Sequence, residues 1–214
     1  MARVRVPPTR SDVSIANMIA RHTDRPTEQT AELLTWGADE HILCAIAAAW
    51  WLYSRRGNAD ERQAADHILL TTLAASALPH LLKKLFDQKR PDRLTIRGHW
   101  RGVPFSGRSE DAFPSGHAVH IGALASAASR LPARQRSLLW GVGAGLVATR
   151  VVLLAHWASD VAAGLVVGAV TERILRLATG YGRERVCQQA SQRALPPWPY
   201  LSSWRGAKQR NSSM

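Results

Sequence analysis

Cysteine is almost missing from this 214-residue chain. Its two cysteines, Cys44 and Cys187, are too few for a disulfide framework or a cysteine-rich zinc scaffold. Acidic residues are also scarce: 16 Asp and Glu stand against 28 Lys and Arg, a formal net charge of +12. Several of the apolar runs fall short of the roughly 20 residues that cross a bilayer as a helix. Mean hydropathy is low for a membrane protein at -0.16. No apolar run follows the basic N-terminus (Arg3, Arg5, Arg10) at signal-peptide distance, so a soluble exported protein is not expected. Internal repeats and low-complexity segments are lacking too. What remains is a globular composition. Hydrophobic residues make up 46% and charged residues 21%, which excludes intrinsic disorder and supplies a core. The length suits one domain, and eight tryptophans are many for it.

The basic excess fits nucleic acid, an anionic membrane surface or a phosphorylated substrate. It is clustered: residues 83–108 carry eight Lys and Arg, and residues 173–214 carry eight more. No recognition-helix, zinc-finger or RNA-binding signature accompanies it, so nucleic acid is the weakest of the three partners. Residues 1–40 read as an N-terminal arm, irregular or amphipathic over 1–30, with a short helix over 27–36 between a Thr27 cap and a Gly37 stop. Five apolar segments follow, at 42–53, 67–82, 118–131, 138–155 and 158–177. The first ends in Trp50, Trp51, Tyr53, Arg55 and Arg56, an aromatic belt with a basic anchor. The last two hold few charges, and Gly164 and Gly168 form a GxxxG pair that admits close helix contact. The expectation is an all-α, membrane-embedded bundle of about five to six helices over 41–180, followed by a basic tail over 181–214. Arg130, Arg134 and Arg136 lie at the same end as that tail, and the positive-inside rule makes both cytoplasmic. Loop 83–116 and junction 156–160 then share the extracytoplasmic face.

Three clusters on that face carry chemistry. In KKLFDQKRP (83–91), Lys83 and Arg90 are seven apart, about 700° on a helix, so both point one way if the helix runs through to Pro91. Lys84 would point well away. Two converging cations suit an anion. In FPSGHA (113–118), Ser115 is placed to cap an Ala-rich helix whose free N–H groups can hold phosphate oxygens. Gly116 lets backbone and anion approach, and His117 can donate a proton. His120 lies three residues on but lacks a third ligand, so it reads as structural. In TRVVLLAHWASD (149–160), Arg150 sits inside an apolar helix, where a charge is costly and marks function. His156 and Asp160 are four apart, on one face if the helix continues. The carboxylate would fix the imidazole tautomer, leaving a nucleophile or base.

KxxxxxxRP, PSGH and RxxxxxHxxxD together resemble the three motifs of the type 2 phosphatidic acid phosphatase (PAP2) superfamily, which also holds bacterial acid phosphatases and vanadium haloperoxidases. Ten fixed positions agree, in order, across residues 83–160. One position departs: Thr149 stands where the family usually has Ser, and it keeps the hydroxyl. The short chain with candidate spans is most similar to the small bacterial membrane lipid phosphatases.

The resemblance implies a mechanism. Lys83, Arg90 and Arg150 would hold phosphate oxygens, with Ser115 and the N–H groups of Gly116 and His117 completing the cradle. His156 would attack phosphorus, Asp160 would orient it, and His117 would protonate the leaving oxygen. Water would then hydrolyse the phosphohistidine. No cofactor and no metal ligand are implied, and no carboxylate cluster suited to Mg²⁺ is evident. The implied substrate is a lipid phosphate or pyrophosphate in the bacterial inner membrane, first undecaprenyl pyrophosphate, then phosphatidic acid or phosphatidylglycerol phosphate. No obligate protein partner is implied. Loop 92–113, with His99, Trp100, Arg101 and Phe105, would shape the entrance. A soluble acid phosphatase, a vanadate-dependent haloperoxidase and a non-catalytic phospholipid-binding membrane protein are the alternatives.

Overall fold

The computed structural model describes residues 4–91 and 111–182. Five of its helices match the five apolar segments: α3 (Glu40–Ser54), α4 (Ala59–Leu82), α5 (Gly116–Ala128), α6 (Ala133–Val152) and α7 (Ala158–Thr179). Two more, α1 (Arg10–His22) and α2 (Arg25–Thr35), lie in the arm, and a 3-10 turn over Trp36–Ala38 leads into α3. The arm is therefore largely helical, the amphipathic of the two forms expected over 1–30. Its caps explain why. Thr9 and Asp12 form a reciprocal capping box at the start of α1. The Asp24 carboxylate accepts from the Thr27 N–H at 3.1 Å, so α2 begins two residues before Thr27, with Pro26 in its first turn. The arm is also part of the bundle, which extends to Thr179 as one compact unit. Of the separate unit from Gly180 onward only 180–182 are described, so most of the basic tail lies outside the described residues.

The centre of the bundle is the packing of α5 on α7, and small residues make it close. A Cβ at Gly164 would lie 2.7 Å from the Ser115 carbonyl oxygen, and one at Gly168 would run into the Val119 carbonyl. The GxxxG pair thus joins two helices of the same chain. Ala118, Val119 and Ala123, all fully buried, lie on the opposing face of α5. Two short strands, β1 (Val4–Arg5) and β2 (Phe86–Asp87), pair in parallel and tie the start of the arm to the segment after α4.

The bundle has small apolar core clusters, buries several polar side chains and leaves many large apolar ones exposed. Leu33, Ile46, Leu52, Leu138, Val166 and Leu177 are all more than half exposed. By contrast, His67 and Glu172 are buried and bonded to one another at 2.9 Å, with Ser126 and Arg176 completing the cluster around the carboxylate. Among the described residues, no helix is long and apolar enough to cross a membrane.

Candidate active site

The C-terminus of α4, the N-terminus of α5, the C-terminus of α6 and the N-terminus of α7 meet at one end of the bundle. Each sequence cluster falls there. Lys83 does not share a helix with Arg90, however. α4 ends at Leu82, Lys83 is its C-cap, and the chain turns into β2 because Phe86–Asp87 pairs with Val4–Arg5. The two cations converge instead through one carboxylate. Arg90 Nη2 donates to Asp111 Oδ1 at 2.8 Å, and Lys83 Nζ lies 3.6 Å from Asp111 Oδ2. Lys84 is exposed and Lys83 half-buried.

Ser115 is the N-cap residue of α5, but its side chain makes no cap hydrogen bond. Its hydroxyl is fully buried and has no partner among the described residues. Its N–H donates to the Asp160 carbonyl at 3.3 Å, so motifs two and three are tied through the main chain. Gly116 and His117 open the helix behind it. His120, one turn on, hydrogen-bonds the Gly116 carbonyl at 3.1 Å and the Ser76 hydroxyl at 2.9 Å, as a structural residue would.

Arg150 is buried near the end of α6. Its Nη1 donates to the Thr35 hydroxyl at 2.9 Å, while its Nε has no partner among the described residues. Thr149 turns its hydroxyl onto the Leu146 carbonyl of its own helix at 2.6 Å. The helix does not continue to Asp160. It stops at Val152, and Leu154, buried and at φ 51, reverses the chain. A leucine in that left-handed region costs on the order of 1 kcal/mol or more, which the surrounding packing must offset. The N–H groups of Ala155 and His156 both return to the Arg150 carbonyl, at 3.0 and 3.2 Å.

This reversal places His156 and Asp160 differently from an i,i+4 helical pair. His156 Nδ1 lies 2.7 Å from the Ala112 carbonyl oxygen and 3.9 Å from Asp160 Oδ2. A carbonyl only accepts, so Nδ1 carries the hydrogen and Nε2 keeps a lone pair. Asp160 instead accepts from the Trp157 N–H at 2.9 Å and holds the turn that carries His156. Trp157, buried, bonds the Lys89 carbonyl at 2.7 Å.

The electrostatics show that the cations converge. Burial, followed by the positive charges of Arg150, Arg90 and Lys83, holds His156 well below its ordinary value of 6.5. Burial and then Arg150 push His117 down to about 3. Both imidazoles are therefore neutral in the empty pocket.

Four contributors were not singled out in the sequence. Thr35 anchors Arg150 and also reaches His117 through its backbone. Asp12 accepts four hydrogen bonds: from the Thr9 N–H and hydroxyl, at 2.9 and 2.7 Å, and from the Ser159 N–H and hydroxyl, at 2.9 and 2.8 Å. Burial alone would raise its carboxyl, but those bonds outweigh burial and hold it below the ordinary range. Ala112 acts only through its backbone, which no motif encodes. Asp111 was legible at most as the carboxylate nearest before FPSGH. Residues 92–110, including His99, Trp100, Arg101 and Phe105, lie outside the described residues.

The family model of the PAP2 superfamily matches residues 65–183. The chain belongs to the PAP2 superfamily. Two relatives are named lipid A 1-phosphatase. The one from Rhizobium etli is 32% identical over 161 residues, 68% of this chain and 69% of its own length. The one from Rhizobium johnstonii is 38% identical over 104 residues, 48% of this chain and 43% of its own length, so this chain spans less than half of that relative. Two solved structures share the fold. Aquifex aeolicus LpxE superposes with a TM-score of 0.62 at 14% identity, over 78% of this chain and 95% of that one. A transmembrane PAP2-type phosphatidylglycerolphosphate phosphatase from Bacillus subtilis superposes with a TM-score of 0.54 at 17% identity, over 79% and 85%. The PAP2 match starts at residue 65, so Asp12 and Thr35 support the site from outside the matched region.

Proposed function

We propose that this PAP2 protein is a lipid phosphate phosphatase that works through a phosphohistidine on His156. The observation that carries the reading is the convergence of Arg150, Arg90 and Lys83 on a neutral imidazole whose Nδ1 is held by a carbonyl. Phosphoryl transfer needs in-line positioning and stabilisation of the charge on the transferring group more than it needs covalent machinery. Three fixed cations, the unpartnered Ser115 hydroxyl and the first N–H groups of α5 meet that need. A phosphate dianion among the cations raises the proton affinity of His117, which enters the reaction protonated. His156 Nε2 forms the P–N bond as the P–O bond to the lipid breaks, and His117 gives its proton to the departing oxygen. Water then attacks phosphorus and passes a proton to the now neutral His117, the P–N bond breaks, inorganic phosphate leaves and His156 Nε2 regains its lone pair. Asp160 positions His156 through the Trp157 turn.

The exposed apolar faces support a membrane setting, since large side chains of this kind face water rarely and in small patches. Bundles that bury polar groups and expose apolar ones suit lipid, with the outward Leu, Val and Ile against acyl chains. The α5–α6 junction, with Arg130, Arg134 and Arg136, lies at the end of the bundle remote from the site. By the positive-inside rule the pocket then opens on the extracytoplasmic face of the inner membrane.

Two relatives' names add lipid A to undecaprenyl pyrophosphate and phosphatidic acid as substrates. The test is phosphate release by detergent-purified protein from each of the three lipids and from a soluble monoester, in excess EDTA. Release from at least one lipid, well above release from the soluble monoester, is expected. Equal turnover of the soluble monoester, or bromide oxidation with vanadate in place of hydrolysis, would contradict the reading.

A further inference from the structure

Resting on the reading of Lys83, Arg90 and Arg150 as a phosphate pocket, we propose that Asp111 is an internal counter-ion to the Lys83–Arg90 pair. The substrate's phosphate displaces it, and its return helps expel the product. One carboxylate bridges the two cations, with oxygens 2.8 Å from Arg90 Nη2 and 3.6 Å from Lys83 Nζ. Two phosphate oxygens would bridge the same nitrogens. A phosphate that takes those same two N–H groups has to displace the carboxylate oxygens now on them, an exchange of one set of strong charge-assisted bonds for another. Arg90 is only 8% exposed, whereas the Asp111 side chain is 23% exposed. The cation is fixed, and the anion has a route to water.

The backbone is arranged for such a swing. Asp111 bridges Gln88, and the Ala112 N–H donates to the Gln88 carbonyl at 3.1 Å, so the main chain is held independently of the ion pair. The Ala112 carbonyl keeps His156 in place throughout. Asp111 can therefore release its cations without disturbing the nucleophile. With Asp111 seated, Arg90 and the half-buried Lys83 share one counter-charge, which offsets the repulsion between two neighbouring cations. When phosphate has been released from His156, the carboxylate competes with it for the same two cations. Asp111 touches the cations and not the reacting atoms, so its role is positioning.

A displaced competitor has a specific signature. Neutralising it tightens binding of every anion by one common factor, whatever the anion's charge. A carboxylate that stays in place and merely repels would instead tighten a dianion by about the square of the factor for a monoanion. The measurement is calorimetric titration of the full-length protein in detergent with inorganic phosphate and with dimethyl phosphate, for wild type, Asp111→Asn and Lys83→Ala. Asp111→Ser serves as a second neutral variant should Asp111→Asn fail to fold. Roughly two- to fivefold tighter binding of both anions by the same factor is expected, the range set by a partly exposed ion pair. KM and kcat should then fall together as product release slows. Weaker or unchanged binding, or tightening that scales with ligand charge, would overturn the displacement. The Lys83→Ala variant separates the two levels. If it binds phosphate as wild type does, the pocket reading itself fails. If it loses affinity while the Asp111 variants gain none, only the role of Asp111 fails.

Discussion

Ser115 gives the most diagnostic single substitution, because its two roles predict opposite signs. As an ordinary helix cap, a Ser→Ala change costs typically about 1 kcal/mol of stability. Here the cap bond is not made, and the hydroxyl is buried without a partner among the described residues. An unsatisfied buried polar group costs about 1–3 kcal/mol, so removing it should stabilise the empty protein. At this chain length about 1 kcal/mol corresponds to roughly 2–4 °C in Tm. On the proposed reading the hydroxyl is kept for the ligand instead. A hydrogen bond to a charged group contributes about 1.5–3 kcal/mol, or roughly 10- to 100-fold in affinity. Ser115→Ala should thus raise the Tm of the phosphate-free protein by a few degrees and weaken inorganic phosphate and vanadate by at least about tenfold. Thermal unfolding in detergent, with and without vanadate, reads both quantities at once. A fall in Tm with unchanged vanadate affinity would return Ser115 to the role of a cap and refute the argument.

Other predictions follow from the same geometry. Arg150→Ala should weaken vanadate inhibition by about tenfold or more, as expected for loss of a charge-assisted contact, and unchanged inhibition would remove Arg150 from the pocket. Thr35→Val should raise KM and the vanadate inhibition constant by roughly three- to tenfold through loss of one hydrogen bond to Arg150, with Thr35→Ser restoring both. Unchanged KM and inhibition in Thr35→Val would show that the hydroxyl does not hold Arg150. Acid should destabilise the empty protein: His117, at about 3, and His156 stay neutral when folded, whereas the unfolded chain takes up protons near 6.5. The contribution of these two imidazoles is therefore full above about 6.5 and is lost as pH drops toward 3, which unfolding of wild type and His117→Asn followed from pH 8 downward would check. His117→Asn should flatten part of that slope.

The motifs made the phosphate chemistry legible because they are short patterns of residue types that such chemistry requires. The five long helices were legible from their apolar runs. Two inferences relied on helices running unbroken, and both met a turn instead. Lys83 and Arg90 converge across the end of α4, where strand pairing with the arm draws the chain out. His156 and Asp160 are separated by a left-handed Leu154 reversal, so the carboxylate braces the turn while a backbone carbonyl holds the imidazole. Spacing alone cannot reveal either turn, since nothing in the sequence of Leu154 announces a positive φ. The arm was the least legible element. Its bonds from Asp12 to Ser159 and from Thr35 to Arg150 join residues more than a hundred positions apart and follow no local period.

The central claim is that His156 Nε2 carries the phosphoryl group. The direct measurement is to quench the enzyme during turnover of lipid labelled with ³²P in its terminal phosphate and to look for labelled protein by mass spectrometry and by stability toward base. The account predicts an acid-labile, base-stable phosphoryl adduct on His156, absent in His156→Ala, which should fold but not turn over. Labelling at another residue, or near-normal turnover by His156→Ala, would contradict it.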